Sequence, residues 1–324
     1  MPLRAPFDSE STFDVLICED MVGIMSTDCI GNGSDDGSDD GSNVVDIVVY
    51  NWKIASLMFQ LRGCIHPVDT FTFLSPQHIL LGISDPDCPR LEVYDLSQRT
   101  SRDPEWNGYD YLCAFLYENE KNPNFRGRMK VQGDTPPWST PLNDREVPFF
   151  TPPESRFLCV SYLGCGEDET DFTAVLSYAI PLQALLSLLP QSADETGTTW
   201  LWDVWSFDKT LMHPQIRPGP HWRSYIHGAK IAYLSTPPER EEASLANVMD
   251  FSPVVQRRDC ARRGKGGPIR LSTGRRGLSV NYGCLTSQLI FPEMYKGMII
   301  SEDNLILIDQ DPESEDIIFT IYSI

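Results

Sequence analysis

Residues 44–96 constrain the fold more than any other stretch of this chain. Five short apolar runs crowd into it, over 44–52, 55–61, 70–74, 78–83 and 91–96. Gly63, Ser75-Pro76 and Asp85-Pro86-Asp87 separate them. Runs of about 4–8 residues rich in Val, Ile, Phe and Tyr, bounded by such breakers, read as antiparallel β-strands. In Leu91-Glu92-Val93-Tyr94-Asp95-Leu96, Leu91 and Val93 point one way and Glu92 and Tyr94 the other. That is the period of two of a half-buried strand. No run has the length or the 3.6-residue period of a helix. The stretch specifies an architecture and contains no recurring reactive group.

The rest of the chain repeats the pattern. Further strands are expected over 12–15, 21–25, 111–117, 128–132, 156–163, 172–178, 198–207, 222–226, 230–234, 245–251, 278–282, 288–291, 298–301, 304–308 and 316–321. His227-Gly228 supplies a tight hairpin turn between two of them. One helix is expected: Leu182, Leu185, Leu186 and Leu189 recur at helical spacing, with Pro181 in the first turn and Pro190 at the end. Three segments stand apart: an acidic Gly/Ser/Asp loop over 31–43, a proline-rich surface connection over 118–155, and a basic loop over 256–276. Roughly twenty strands against one helix make the chain all-β. At about 40–50 residues per four-stranded unit, it fills five to seven blades of a β-propeller-like, WD40-like fold. The blades form one domain over 1–324, complete or with a blade cut short. A pair of β-sandwiches is the other arrangement the pattern allows.

Composition narrows the partners. The formal net charge is -20 over 324 residues, which repels nucleic acid and anionic membrane, so neither is expected. The nine cysteines are an odd number with no Cys-x-x-Cys pair. Reduced, mostly buried thiols in a cytoplasmic or nuclear compartment follow. No leader-like apolar stretch opens the sequence. The acidic loop invites a calcium reading. With Asp36 as the first position of an EF-hand, however, the twelfth falls on Ile47, where a bidentate glutamate is required. No metal or cofactor is therefore expected.

The candidates for chemistry are few. His66, His78, His213, His221 and His227 show no metal-ligand spacing. There is no Gly-x-Ser-x-Gly elbow, and Arg263-Gly264-Lys265-Gly266-Gly267 lacks the strand and the Ser or Thr of a phosphate loop. Glu167, Asp168, Glu169 and Asp171 cluster, as paired carboxylates of a glycosidase would, but in a solvated turn. Trp52, Trp200, Trp202, Trp205 and Trp222 could line a binding face or pack between blades. Trp205, opposite Trp200 and Trp202 on a regular strand, is the candidate for the exposed face. Arg257, Arg258, Arg262 and Arg263 head the basic loop, which suits an acidic partner or an import signal.

Three blocks, Val49-Tyr50-Asn51-Trp52-Lys53, Phe71-Thr72-Phe73-Leu74-Ser75-Pro76 and Leu91-Glu92-Val93-Tyr94-Asp95-Leu96, in that order and spacing, resemble the C-terminal region of fungal (basidiomycete) F-box proteins. Trp202-Asp203-Val204-Trp205, Tyr225-Ile226-His227-Gly228 and Asp250-Phe251-Ser252-Pro253 are fainter echoes. The resemblance implies a propeller-like domain that recognises substrates for a ubiquitin ligase, beside an F-box that docks the adaptor. No segment here matches an F-box, so a truncated relative or a sequence missing its first exon is expected, with an adaptor contact only where an F-box is restored. The function expected is a noncatalytic protein-interaction module with a protein partner. The alternative is a propeller-type, glycosidase-like hydrolase using paired carboxylates.

Overall fold

In a computed structural model of the chain, the described residues are 12–29, 43–62, 68–85, 88–97, 111–117, 126–133, 156–165, 172–191, 196–205, 211–215, 224–235, 243–251, 285–291, 295, 297–301, 304–310 and 316–323. They hold twenty strands and two short helices. The acidic segment, Asn43 excepted, and the whole basic segment lie outside them, as does the strand expected over 278–282. The backbone divides into two compact units.

The first unit spans residues 1–119, 135–138 and 190–200. Its first sheet is an antiparallel meander of β1 (Thr12–Cys18), β2 (Met21–Cys29), β3 (Asn43–Asn51) and β4 (Ser56–Leu61). Its second runs through β5 (Val68–Ser75), β6 (His78–Ile83), β7 (Arg90–Asp95) and β8 (Cys113–Leu116). A short β12 (Thr198–Trp200) adds to β8 in parallel. Alternation along β3 sends Val45, Ile47 and Val49 into a core shared with Phe71, Phe73, Ile79, Leu81 and Tyr94 of the second sheet. Gly23 permits this approach. A Cβ there would lie 2.5 Å from Cε2 of Phe71 and 3.2 Å from Cζ of Phe73. Both rings are buried and packed edge to face, so they have little room to yield. Gly23→Ala is expected to cost about 1–3 kcal/mol, the usual penalty of overpacking. The change is read as a lowered urea midpoint; an unshifted midpoint would show that the rings move aside freely.

The second unit spans residues 120–134, 139–189 and 201–324. One sheet has the order β13 (Leu211–Gln215), β11 (Phe172–Pro181), β10 (Phe157–Cys165), β9 (Arg126–Gly133). The next is a meander of β14 (Ser224–His227), β15 (Lys230–Ser235), β16 (Ser244–Asp250) and β17 (Leu285–Phe291). The last holds three strands, β18 (Gly297–Ile300), β19 (Asn304–Gln310) and β20 (Ile317–Ser323). The middle sheet is buried on both faces. Ile231, Tyr233 and Met249 meet Phe157, Cys159 and Ala179 of the preceding sheet. Ala232, Leu234, Ala246 and Val248, pointing the opposite way, meet Met298, Ile300, Leu305 and Leu307 of the following one. Successive four-stranded meanders stacked face to face are the construction of propeller blades. The all-β, propeller-like expectation is met. Five sheets are seen among the described residues, one of them a strand short.

Three local expectations are corrected. The strand over 91–96 is not half-buried: Glu92 and Tyr94 are as buried as Leu91 and Val93. Arg90 makes this tolerable, as its Nε donates to Glu92 Oε1 at 2.7 Å while the Tyr94 hydroxyl donates to Oε2 at 2.7 Å. The expected strand over 198–207 ends at Trp200, and a helical turn, α2 (Trp202–Trp205), follows. The leucine helix is α1 (Leu182–Leu186), shorter than its pattern, burying Leu182 and Leu185. No helix of the described residues is long and apolar enough to cross a membrane.

Candidate interaction surface

Two turns of the first sheet lie side by side at one end of it, because β2 pairs with both β1 and β3 and sets Met21 opposite Asn51. The first turn is Glu19-Asp20; the second runs from Trp52 to Ala55. Glu19 and Ala55 both have positive φ, 53° and 49°. Non-glycine residues occupy that region at a cost and only where their surroundings hold them. Here the holding contacts are visible. The Asn51 side-chain oxygen accepts from the backbone N–H groups of Lys53 at 3.1 Å and Ile54 at 3.2 Å, closing an Asx turn. The Trp52 backbone N–H donates to the Asp20 carbonyl at 2.9 Å, and its indole Nε1 to the Glu19 carbonyl at 3.2 Å. Lys53 Nζ lies 2.6 Å from Asp20 Oδ1 and 5.7 Å from the centre of the Trp52 ring. An exposed ion pair of this kind adds only about 0–1 kcal/mol, but it neutralises one carboxylate beside the ring.

The result is a tryptophan 57% exposed yet oriented by bonds at its backbone and at its indole nitrogen. Ile54, 68% exposed, extends the apolar tip. A large ring already held in place loses little conformational entropy when another surface closes over it. The tip offers shape and apolar area for docking.

Trp205 is elsewhere. It is 1% exposed and lies in α2. The Leu201 carbonyl accepts from the N–H groups of Val204 and Trp205, so the chain coils instead of extending. Residues three apart then share a side, whereas on a strand they oppose. Trp202 and Trp205 accordingly meet edge to face at 4.9 Å, with Tyr178 edge-on to Trp202 at 5.3 Å. The expectation of an exposed Trp205 is overturned. Trp200 and Trp202 are half-buried. Arg257, Arg258, Arg262, Arg263, Trp222 and the carboxylates 167–171 lie outside the described residues. Trp52, one of the five candidate tryptophans, is exposed, whereas the strand pattern favours Trp205. The signal available was Asn51, a turn former set against the tryptophan at the strand's end.

Other candidates have structural explanations. His78 Nδ1 is 2.8 Å from Ser75 Oγ; burial lowers its pKa and Asp95 pulls the other way. Cys18, Cys88, Cys113 and Cys159 form no disulfides, and burial pushes Cys113 up to about 12, which leaves it protonated and unreactive. Among the described residues no three His, Cys, Asp or Glu side chains gather as a metal site would require.

No family model and no curated protein matches the chain. Solved structures resemble it distantly. The β-propeller domain of the Trilobed protease from Pyrococcus furiosus is 10% identical, with a TM-score of 0.42 over 97% of this chain and 69% of that one. The tricorn protease is 10% identical, with a TM-score of 0.42 over 99% of this chain but 31% of its own. Chaetomium thermophilum Sqt1, solved bound to the N-terminus of the ribosomal protein L10, is 10% identical, with a TM-score of 0.32 over 94% of this chain and 68% of that one. Likenesses so slight carry nothing about activity, and the propeller-like assignment rests on the sheets themselves.

Proposed function

We propose that the chain is a noncatalytic protein-interaction module: a propeller-like scaffold that presents the Trp52 tip to a protein partner in the cytoplasm or nucleus. The observation that supports this most is the exposure of a tryptophan whose ring position is already set by hydrogen bonds. Such residues dominate the energetics of protein interfaces. The role is similar to that of the substrate-recognition region of F-box proteins. In such a protein the F-box would supply the adaptor contact and this region the substrate contact. The basic segment with Arg257, Arg258, Arg262 and Arg263 is proposed as a second contact on its charge alone.

The test is quantitative affinity capture with wild type, Trp52→Ala and Ile54→Asp. Proteins enriched by the wild type are expected to fall by about thirtyfold or more with Trp52→Ala, the effect of losing an interface hot spot. Stability is expected to change by less than about 1 kcal/mol, since the ring is exposed. Equal capture by all three proteins would remove the tip from the function.

A further inference from the structure

The last sheet of the second unit ends at β20. It has three strands where each of the other two sheets of that unit has four, and among the described strands β20 pairs with β19 alone. Edge strands normally carry a charge, a proline or a bulge that discourages pairing, or are kept short. In this unit β9 carries Arg128 and Lys130, β13 carries Pro214, and β14 and β18 have four residues each. β17 is uncharged, but Thr286, Ser287 and Gln288 make its middle polar. β20 has seven residues, Ile317-Ile318-Phe319-Thr320-Ile321-Tyr322-Ser323, with no charge and no proline, and its register with β19 runs without a bulge. Both of its sides are apolar and open. Ile317, Phe319 and Ile321, on the side turned from the core, are 58–65% exposed. Ile318 shares the opposite side with Tyr322, which packs on Phe291, yet it is 46% exposed. A layer laid on one face of the sheet would leave the other side of β20 uncovered, whereas a further strand beside it covers both.

We propose that this further strand is the β20 of a second copy of the chain, paired antiparallel about a two-fold axis at Thr320. The sequence of β20 is its own complement in that register. Thr320 faces Thr320, Phe319 faces Ile321 twice, and Ile318 faces Tyr322 twice. Thr–Thr and aromatic–β-branched pairs are among those that stabilise neighbouring strands. Ile317 against Ser323, at the two ends, is the one pairing outside that set. The backbone matches as well. About an axis at a residue, facing positions differ by an even number, so both turn their N–H and C=O groups to the same edge. Alternate positions contribute two bonds each, about six to eight in all, within the range of about 5–15 that an ordinary interface carries. Charge favours a copy over a charged segment of another protein, because β20 offers such a segment no counter-charge. A net charge of -20 repels the copies elsewhere, which confines association to this edge and weakens it at low salt.

The test combines sedimentation with crosslinking of the full chain. A dimer is expected whose fraction rises with concentration and with salt, as the repulsion is screened. Phe319→Lys and Ile321→Lys place on β20 the kind of charge that blocks strand pairing. Each is expected to weaken the dimer by about thirtyfold or more. Neither is expected to lower the urea midpoint, because both side chains are exposed. Ile290→Lys, exposed on the edge strand β17, is expected to leave the dimer unchanged. Under mild oxidation a Thr320→Cys protein is expected to form a linked dimer several-fold above Ile318→Cys or the wild type, since position 320 faces itself and position 318 does not. Monomers at every concentration and salt would overturn the proposal. So would a dimer that both lysine variants leave at full strength, or an Ile318→Cys protein that links as readily as Thr320→Cys.

Discussion

Arg90→Met is expected to destabilise the first unit by about 3–5 kcal/mol, the cost of leaving a buried charge without its partner. Glu92 is fully buried in the middle of β7, and the Arg90 guanidinium is its cationic partner, 2.7 Å away. Arg90 also reaches Asp85 Oδ2 at 3.2 Å and the Cys88 carbonyl at 3.1 Å, tying the connection before β7 to the strand. Burial works against the charge on Arg90, but Glu92 and Asp85 outweigh it and raise its pKa, so the guanidinium stays charged. Removing the pair together is a different perturbation. Arg90→Met with Glu92→Leu and Tyr94→Phe is expected to recover most of the loss, since a buried ion pair replaced by apolar groups of like volume is often neutral. Denaturant midpoints of the single and triple variants decide the matter. A single variant as stable as wild type would mean that water reaches Glu92.

Trp205→Ala is expected to cost about 3–5 kcal/mol, the range for deleting a large aromatic from a packed core. The ring is almost wholly enclosed and touches Trp202, which in turn touches Tyr178. The cavity cannot collapse easily beside the two rings that remain, Trp202 and Tyr178, which are packed against each other. Near-ultraviolet circular dichroism and urea denaturation check this, and the same measurements on Trp52→Ala are expected to show almost no change. The contrast separates a ring that builds the fold from one that the fold displays. Any binding lost with Trp205→Ala would follow from unfolding, whereas loss with Trp52→Ala would not.

Most of the strands were legible in the sequence because a half-buried strand writes its burial as alternation. Val45, Ile47 and Val49 alternate with Asp46, Val48 and Tyr50, and the structure buries the first set. The His227-Gly228 turn was legible for a different reason: Gly228 takes a φ of 56°, which glycine adopts without strain. The segment from Thr198 to Phe207 misled because a short aromatic run has no distinct period, and a single helical turn reverses which rings are neighbours. The burial of Glu92 was hidden for lack of weight on Arg90, two residues earlier and so on the same side of the strand. The Trp52 tip was hidden because side-by-side turns are a product of pairing between strands, and no local pattern reports them.

The parallel strand β12 has a bearing on how the protein is made. It seals the β8 edge of the second sheet, yet it leaves the ribosome roughly eighty residues after β8. At about 5–20 residues per second, that edge stands open for roughly 4–16 s of synthesis. Its exposed hydrogen-bonding groups are a template for stray pairing during that interval. Nascent chains halted before Thr198 are therefore the species that a chaperone would be found holding, while chains extended past Trp200 and clear of the exit tunnel would be released.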